Sequence, residues 1–302
     1  MSPAAAPPAR PPHRKTPAPP AHRPRAPRPA WRNPLVLGTL AAVVVIVGVI
    51  AGIAATRSQG GSTPSSQSSP GATDSQALVD ALSRLDPAVV AAVGSGGVPM
   101  GFSSLHGAPP LVTDGRPQIL YVGADYCPYC AAQRWSMIVA LSRFGSFSHL
   151  SLTTSSSTDV FPDTATFSFR GSSYTSRYVD FVAVEEADRT GRPQQTLSPS
   201  QASTFAQYSV PPYVPQGANG GIPWLDIGNR NVMVSSGYSP QVLAGLSWSE
   251  IVADMRSAGS PVAKGVIGNA NEITAAICKA TGMQPAAVCG AAPIAGLVAL
   301  VP

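Results

Sequence analysis

The apolar and polar positions of the chain form one unbroken apolar run near the start and shorter patterned segments after it. Residues 35–55 are 21 consecutive residues without a charge. As a helix, a run of this length is enough to cross a hydrocarbon core about 30 Å thick, so it predicts a single transmembrane helix. A cleaved signal peptide is the alternative, but the run is long for one and Ala51 to Ala55 is a weak cleavage motif.

The segment before this run is rich in proline and in basic residues. Residues 1–34 hold twelve prolines, seven basic residues and no acidic residue, so they cannot form an apolar core and are predicted to be disordered. Only Arg57 follows the run closely, and the positive-inside rule therefore places this tail in the cytoplasm and the C-terminal domain outside the cell membrane. Binding of the tail to nucleic acid or anionic lipid is the alternative to a topology signal.

The chain after the apolar run begins with a linker. Residues 56–74 are rich in Gly, Ser and Pro, a composition typical of a flexible tether. From residue 58 onward, 12 basic residues stand against 15 acidic ones, which gives a net charge of −3. This balance excludes a basic face suited to nucleic acid.

Helical and strand patterns alternate from residue 75 onward. Apolar spacing and capping residues predict helices over residues 75–85, 89–93, 128 or 130 to 144, 197–208, 247–257 and 269–281. Short apolar or alternating runs predict strands over residues 118–122, 149–154, 164–170, 174–184, 224–227 and 232–235. Gly171-Ser-Ser predicts a hairpin between the third and fourth of these strands, and Gly145 is the expected C-cap of the helix that ends at Phe144.

The candidate chemistry lies at the junction of a predicted strand and the helix after it. Residues 119–130 read Ile-Leu-Tyr-Val-Gly-Ala-Asp-Tyr-Cys-Pro-Tyr-Cys, which places Cys127 and Cys130 at the first turn of the helix. Unpaired N–H groups and the aligned peptide dipoles stabilise a thiolate at this position. Cys127 is therefore the predicted attacking thiolate, and Cys130 is placed to resolve the mixed disulfide.

The order of the predicted elements resembles the thioredoxin superfamily. A strand is followed by the Cys-x-x-Cys motif, a helix and a second strand, and then by a proline, a strand, a hairpin, a strand and a helix. Tyr126-Cys-Pro-Tyr-Cys130 resembles its active turn, and Ile222-Pro223 resembles its facing cis-proline loop. The amino-acid sequence of residues 123–135 and 221–229 has a closer resemblance, to an uncharacterised domain-of-unknown-function family of membrane-anchored, thioredoxin-like prokaryotic proteins. That family has no settled activity, so the resemblance supports the fold and leaves the reaction to the residues.

The resemblance implies an α/β fold, with a thioredoxin-like extracytoplasmic domain over residues 75–290, a β-rich insertion at about 150–215 and a C-terminal tail at 291–302. The motif departs from the Trp-Cys-Gly-Pro-Cys of thioredoxin, and its Cys-Pro-Tyr-Cys form is like glutaredoxin. A long insertion is also found in the periplasmic disulfide-exchange proteins, but theirs is helical. Their substrate range is therefore not carried over.

The resemblance also implies which residues meet a substrate. The Ile222–Pro223 loop would lie against the two sulfurs, and the Ile222 backbone would pair with an extended substrate strand. Tyr126 and Tyr129, beside and inside the motif, are the other predicted substrate-binding residues. The alternative for Pro223 is an ordinary edge-strand proline.

Two charged residues near the motif have open roles. Asp125, two residues before Cys127, is expected to cap the helix, with acceptance of a proton as the alternative. Arg134, one turn after Cys130, either adds positive potential to the thiolate site or faces solvent.

The remaining cysteines predict a structural disulfide. Cys278 and Cys289 lie outside the predicted membrane, where disulfides persist, and a second redox pair is the alternative. Their spacing does not match a zinc ribbon. His106 and His149 are the only histidines of the predicted ectodomain, so we expect no metal and no cofactor.

Together these features predict a membrane-anchored thiol–disulfide oxidoreductase. Its expected partners are the thiols and disulfides of extracytoplasmic proteins, together with a membrane or extracytoplasmic redox partner that resets the pair. A non-catalytic binding or assembly module with a structural disulfide at Cys127 and Cys130 is the alternative from a different class. A metal-delivery protein is a third and weaker interpretation.

Overall fold

The computed structural model describes residues 72–302, which form a mixed α/β arrangement. The predicted tail (1–34), the predicted membrane span (35–55) and most of the predicted linker (56–74) lie outside the described residues. From residue 72 to the end of the chain, no helix combines the length and the apolar character needed to cross a bilayer.

The helices lie before, between and after the strands. They are α1 (Ala72–Ser83), α2 (Pro87–Val93), α3 (Pro128–Leu141), α4 (Pro199–Tyr208), α5 (Trp248–Asp254), α6 (Pro261–Ala280), α7 (Ala286–Cys289) and α8 (Ile294–Val298), with a 3-10 helix at Pro240–Leu243. The strands are β1 (Ser103–Ser104), β2 (Val112–Thr113), β3 (Arg116–Gly123), β4 (Gly145–Ser148), β5 (Ser151–Thr154), β6 (Ala165–Ser168), β7 (Ser173–Ser176), β8 (Asp180–Glu185), β9 (Trp224–Ile227) and β10 (Asn231–Val234).

The central sheet is mixed and is built around β3. Strand β8 pairs with β3 in parallel, with Ile119 opposite Phe181, while β9 pairs with its other edge in antiparallel register. Strands β9 and β10 form a hairpin through Gly228 and Asn229, and β1 pairs with β10. The two-residue β2 pairs with the start of β3. The parallel β3–β8 pair is connected through α3, as parallel strands require a crossover.

Both faces of the sheet are covered. Successive side chains of a strand point to opposite faces, and β3 follows this rule because Ile119 and Tyr121 belong to one apolar cluster while Leu120 and Val122 belong to the other. The larger cluster contains residues of α3 and α6, and the smaller one includes Tyr208 of α4. The sheet is therefore the middle of three layers, which explains why β3 is apolar from Ile119 to Val122 without alternation.

Side-chain caps begin several of the helices. Asp86 caps α2, with Pro87 at the first helical position, two residues before the predicted start at Val89. Ser247 and Glu250 form both halves of a capping box at the start of α5, as predicted, and Ser198 with Gln201 does the same for α4. The predicted helix after the cysteine motif is also confirmed, but it ends with Ser142 as its C-cap, and Gly145 begins strand β4 instead.

The predicted hairpin between residues 164–170 and 174–184 is wrong. Strand β6 pairs with β5, and β7 pairs with β4, so the two predicted neighbours do not pair with each other. Residues 145–154 and 165–176 instead form the two sides of one long hairpin, interrupted at His149 and Leu150 on one side and at residues 169–172 on the other. Gly171-Ser-Ser begins in the interruption between β6 and β7 and is not the turn of a hairpin. The tip of the long hairpin is the segment 155–164.

The C-terminal part of the chain is packed more extensively than the sequence suggests. Helix α6 begins at Pro261, capped by Ser260 and eight residues before the predicted start at Asn269. Residues 291–302, predicted to be a separate tail, contain α8, and Leu297 and Val301 are buried in the larger apolar cluster. The Lys279 ammonium group donates a hydrogen bond of 2.7 Å to the Val301 carbonyl, which anchors the chain end to α6.

Candidate functional site

Cys127 occupies the N-cap position of helix α3. Its backbone is extended, Pro128 follows at the first helical position, and its sulfur accepts a hydrogen bond of 3.2 Å from the backbone N–H of Cys130. The sulfur therefore does what a Ser or Asp oxygen does at most helix starts, which is to satisfy an N–H group that has no partner within the helix. This contact places positive potential directly at the sulfur.

The two thiols differ in how easily they ionise. A hydrogen bond from the Cys130 side chain lowers the pKa of the Cys127 thiol, and the backbone N–H of Cys130 and the charge of Arg134 lower it further against the opposing effect of burial. Burial raises the pKa of Cys130 well above its ordinary value. Cys127 retains 7% of its surface exposed whereas Cys130 has none. The outer sulfur is therefore the more readily ionised of the two.

The Ile222–Pro223 loop lies against the outer sulfur. The Ile222–Pro223 peptide bond is cis, and the Cys127 thiol donates a long hydrogen bond of 3.9 Å to the Ile222 carbonyl. Pro223 is buried and directly precedes β9. Residues 95 positions apart in sequence are therefore brought together at the reactive sulfur.

Arg134 is buried, and the interpretation that it faces solvent is wrong. Its guanidinium group donates two hydrogen bonds of 2.8 and 2.7 Å to the Glu185 carboxylate at the end of β8, and it lies 3.4 Å from the Asp125 carboxylate. Neither the Arg134 nor the Glu185 side chain has exposed surface. Burial raises the pKa of Glu185, and the neighbouring Arg134 charge opposes that effect.

Asp125 does not cap the helix, because Cys127 takes that position. Its carboxylate instead faces Arg134 and accepts a hydrogen bond of 2.9 Å from the Gln194 side chain. It is one of two carboxylates beside a single buried guanidinium group. The cation is held in place by these acids, and its charge reaches both cysteines of the motif.

Tyr121 adds a buried hydroxyl group to this polar cluster. The hydroxyl has no hydrogen-bond partner within residues 72–302, and burial raises the pKa of Tyr121 well above its ordinary value. A side chain at position 123 would collide with the Tyr121 ring. Gly123 is thus required where β3 leads into the motif, since it makes room for the ring.

The tip of the long hairpin contacts both sides of the cysteine turn. The Ser156 N–H donates a hydrogen bond of 2.8 Å to the Tyr126 carbonyl, directly before Cys127. The Phe161 and Tyr129 rings meet edge to face, with centroids 6.0 Å apart. Tyr129, inside the motif, is 37% exposed. The hairpin tip therefore packs beside the motif.

A cleft of about 400 Å³ lies next to Tyr126. It is lined by Tyr126, by the hairpin-tip residues Ser156, Thr158, Asp159 and Val160, and by Arg189, Thr190 and Gly191 of the loop after β8. Val160 is 71% exposed at its edge. Of the predicted substrate-binding residues, Tyr126 lines this cleft and Tyr129 is on the helix turn itself. The Ile222 carbonyl contacts the Cys127 sulfur, and Pro223 after it is buried.

Cys278 and Cys289 form a disulfide, as predicted. Both residues are fully buried, and the bond joins α6 to α7. His106 and His149 are both exposed. Throughout the described part of the chain, no group of three or more His, Cys, Asp or Glu side chains is arranged to hold a metal ion.

Glu185, the hairpin tip and the loop at 188–192 are the parts of the site that the sequence does not reveal. Glu185 directly follows the alternating run at 174–184, which predicts only a strand. Its role depends on the parallel pairing of β8 with β3, which brings it opposite Gly123. The one sequence signal is that Glu185 and Glu186 end an otherwise apolar strand, at the edge where the cysteine motif also begins.

Comparisons with known proteins give one match. A family model described as "Domain of unknown function (DUF929)" matches residues 107–279, which is more than half of the chain. This range includes both cysteines of the motif, the Ile222–Pro223 loop and Glu185. No curated protein and no solved structure matches the chain.

Proposed function

The chain belongs to the DUF929 family, whose function is unknown, and we propose that it is a membrane-anchored thiol–disulfide oxidoreductase of the thioredoxin superfamily that acts on extracytoplasmic proteins. The observation that carries the proposal is the environment of Cys127. Its sulfur caps a helix, accepts the Cys130 N–H and faces the carbonyl that precedes a cis-proline. The apolar run at 35–55 supports the membrane anchor.

The strand order supports membership of the superfamily. The cysteine motif lies between β3 and α3, β8 returns parallel to β3, and a proline then leads into the antiparallel β9–β10 hairpin. Helix α6 follows and packs against α3 through the Ser136 hydroxyl, which donates a hydrogen bond of 2.9 Å to the Val266 carbonyl. This is the order that the resemblance implies. The long hairpin at 145–176 corresponds to part of the β-rich insertion predicted at about 150–215, a range that wrongly included β8 of the central sheet.

The proposed exchange proceeds in two steps. The Cys127 thiolate attacks a substrate disulfide, forms a new S–S bond and expels one substrate thiolate, which takes up a proton. Cys130 then loses its proton and attacks the Cys127 sulfur, which releases the second substrate thiolate and leaves a Cys127–Cys130 disulfide. Two electrons have passed from the protein to the substrate. In the reverse direction, a substrate dithiol attacks the oxidised pair.

The pair must be reset after each turnover. We propose that a second dithiol or disulfide protein, in the membrane or outside it, exchanges with the Cys127–Cys130 pair by the same two steps. No cofactor is needed for this chemistry, because the electrons move between sulfur atoms.

The test is a redox titration of the purified full chain in graded glutathione buffers, read by thiol labelling and mass spectrometry. We expect the Cys127–Cys130 pair to titrate reversibly while Cys278–Cys289 stays oxidised. A Cys130→Ser variant should trap mixed disulfides through Cys127 in cells, and a Cys127→Ser variant is its control. If both pairs resist reduction until the protein unfolds and no adduct is trapped, the proposal fails.

A non-catalytic binding module is the second candidate, and one observation favours it. An apolar groove of about 580 Å³ lies between α1 and α5, formed by Ala77, Leu78, Ala81, Trp248 and Val252 together with Leu152 of β5. The cysteine motif does not line this groove. An unreactive Cys127–Cys130 pair, together with a partner that Leu78→Asp releases, would favour this candidate over exchange.

A further inference from the structure

We propose that the hairpin tip, residues 155–164, and the loop 188–192 form a subsite that selects substrate polypeptides with a lysine or arginine next to the reactive cysteine. This inference rests on the proposed exchange function and names the substrate class of the same site. Three observations support it. They are the cleft beside Tyr126, the attachment of the hairpin tip to the cysteine turn, and the distribution of charge around the cleft.

The hairpin tip is held rigidly beside the cysteine turn. The Ser156 N–H bonds to the Tyr126 carbonyl, and the Phe161 ring packs against Tyr129. Within the tip, the Ser155 hydroxyl donates to the Phe161 carbonyl at 3.0 Å and accepts from the Thr164 N–H at 2.9 Å. A substrate that reaches Cys127 along the Tyr126 side therefore meets a preformed wall.

The cleft has the size and lining for one long side chain. At about 400 Å³ it is at the small end of ligand pockets in proteins. The Tyr126 ring and the exposed Val160 offer apolar surface for an aliphatic stem, and the hydroxyl groups of Ser156, Thr158 and Thr190 offer hydrogen-bond acceptors for its end. Lysine and arginine side chains combine these two characters, since they bury the stem and keep the charged end in polar surroundings.

The unpaired charge at the cleft is negative. The Arg189 guanidinium is already paired with Asp163 at 2.6 Å. Asp159 takes part in no ion pair within the described residues, and neither does Glu186, two residues before the loop. Both carboxylates act on the Tyr126 hydroxyl, whose pKa is raised by burial first, then by the two cysteines and by these two acids. A basic substrate side chain would therefore be attracted, and an acidic one repelled.

The remaining charges of the two segments do not reverse this balance. Asp188 accepts hydrogen bonds from the Thr190 and Arg192 N–H groups, which closes the loop on itself. Residues 155–164 and 186–192 together carry four acidic residues, Asp159, Asp163, Glu186 and Asp188, against Arg189 and Arg192. The local charge is negative even with both arginines counted.

The test uses the purified full chain and two sets of three matched peptides. Each peptide has one cysteine activated as a mixed disulfide with thionitrobenzoate, and the residue beside that cysteine is Arg, Gln or Glu, placed before it in one set and after it in another. The Cys127 thiolate attacks the peptide sulfur, the old S–S bond breaks, and the coloured thionitrobenzoate thiolate leaves with the electron pair. Cys130 then displaces the peptide thiol. The rate is followed by the absorbance of the released thiolate.

With the variable residue on one side of the peptide cysteine, either before or after it, we expect the Arg peptide to react about three to five times faster than the Gln peptide at low salt. This factor corresponds to the free energy of one partly exposed ion pair. The Glu peptide should be the slowest, and high salt should reduce the differences. Asp159→Asn keeps the acceptor for the Val160 N–H and should bring the Arg-to-Gln ratio close to one. Asp114→Asn, which changes an exposed carboxylate in the β2–β3 turn, is the matched control and should leave the ratio unchanged.

A second variant tests the sign of the effect. Arg189→Gln removes a cation that is 44% exposed and frees the Asp163 carboxylate, so the preference for the Arg peptide should increase. Equal rates for all three peptides in both placements, with release abolished in Cys127→Ser, would overturn the subsite and leave exchange intact. If no peptide releases thionitrobenzoate in a Cys127-dependent way, the proposed function itself has failed.

Discussion

The Arg134 guanidinium and the Glu185 carboxylate form a bidentate ion pair in which neither side chain has exposed surface. Arg134 comes from the helix that begins with the cysteine motif, and Glu185 comes from the end of the strand that pairs in parallel with β3. The pair therefore fixes the helix to the sheet at the level of the reactive sulfurs. A charge in this position is costly unless its partner is present.

The first prediction concerns the stability that depends on this pair. Arg134→Met should lower the free energy of unfolding by about 3–5 kcal/mol, because it leaves the buried Glu185 carboxylate without a cation. Glu185→Gln should cost less, because the Asp125 carboxylate still faces Arg134. The double variant Arg134→Met with Glu185→Leu should recover part of the loss caused by Arg134→Met, since the Glu185 charge is removed and only Asp125, which keeps its hydrogen bond from Gln194, loses its cation. Urea unfolding of the purified proteins measures all three.

The control for this prediction is an exposed ion pair of the same chain. Arg84, the residue after α1, lies 3.5 Å from Asp80 of that helix, and the two side chains are 77% and 48% exposed. Asp80→Asn should change the free energy of unfolding by no more than about 0.5 kcal/mol. A double variant that loses as much as the two single variants together would show that the pair is not coupled.

The central strands and the reactive turn could be predicted from the sequence because local signals decide them. The apolar run at 118–122 and the Cys-Pro-Tyr-Cys turn place β3 and the start of α3 close to where they lie. The Trp224 and Val232 strands with Gly228-Asn229 between them were predictable for the same reason. In each case the residues that form the element also contain the sequence pattern that predicts it.

The parts that could not be predicted depend on distant partners. A buried arginine has the same local pattern as an exposed one, so Arg134 reveals its position only through Glu185, 51 residues away. The start of α6 was missed because Gly265 and Gly268 lower helix propensity, yet side chains there would meet Tyr238 and the Ser95 carbonyl. The glycines permit close packing of neighbours, which the sequence of the helix alone does not show.

The second prediction concerns the ionisation of Cys127. In a Cys130→Ser variant the hydroxyl group still donates to the Cys127 sulfur, whereas in Cys130→Ala that hydrogen bond is lost. The hydrogen bond from residue 130 is the largest cause of the lowered pKa, so the Cys127 thiolate should form at a pH about 0.5–1 unit lower in the Ser variant than in the Ala variant.

The measurement is the thiolate absorbance as a function of pH, in the folded full chain with Cys278–Cys289 intact. Each variant has a single free thiol within the described residues, so the titration reports Cys127 alone. Cys127→Ala is the control, and its remaining thiol at Cys130 should titrate well above the usual range because of burial. Indistinguishable titrations of the Ser and Ala variants would contradict the assigned hydrogen bond.

The third prediction is a pH dependence of stability from Asp226. Burial raises the pKa of this β9 carboxyl to about 7, whereas an unfolded aspartate titrates near pH ~3.9. Between these values the folded chain binds more protons than the unfolded chain, so the free energy of unfolding falls as the pH rises from about 4 to 7 and then levels off. Asp226→Asn should abolish this contribution while keeping the acceptor for the Asn229 N–H.

The variant should therefore match the parent at pH 4 and exceed it by about 2–4 kcal/mol at pH 8, measured by urea unfolding at both values. Glu272, whose pKa burial raises to about 8, contributes in the same direction in both proteins and cancels from the comparison. Asp114→Asn, with a side chain that is 84% exposed, is the control and should differ from the parent by the same small amount at both pH values. An Asp226→Asn variant that gains no stability over the parent between pH 4 and pH 8 would contradict the assignment.

The fourth prediction separates the two cysteine pairs. The Cys278–Cys289 disulfide spans 11 positions and is fully buried, so it closes a short loop and should contribute about 3 kcal/mol to stability. Cys278→Ala with Cys289→Ala should lower the free energy of unfolding by that amount and leave the alkylation rate of Cys127 in the folded protein unchanged, because the variant removes neither the helix cap nor the Arg134 charge. The double variant Cys127→Ala with Cys130→Ala is the matched comparison. It should have no reactive thiol, and it should lower the free energy of unfolding by less than the loss of Cys278 and Cys289 does. If loss of Cys278 and Cys289 instead alters the redox equilibrium of Cys127 and Cys130 in a protein that remains folded, the two pairs exchange electrons and the second disulfide has a functional role.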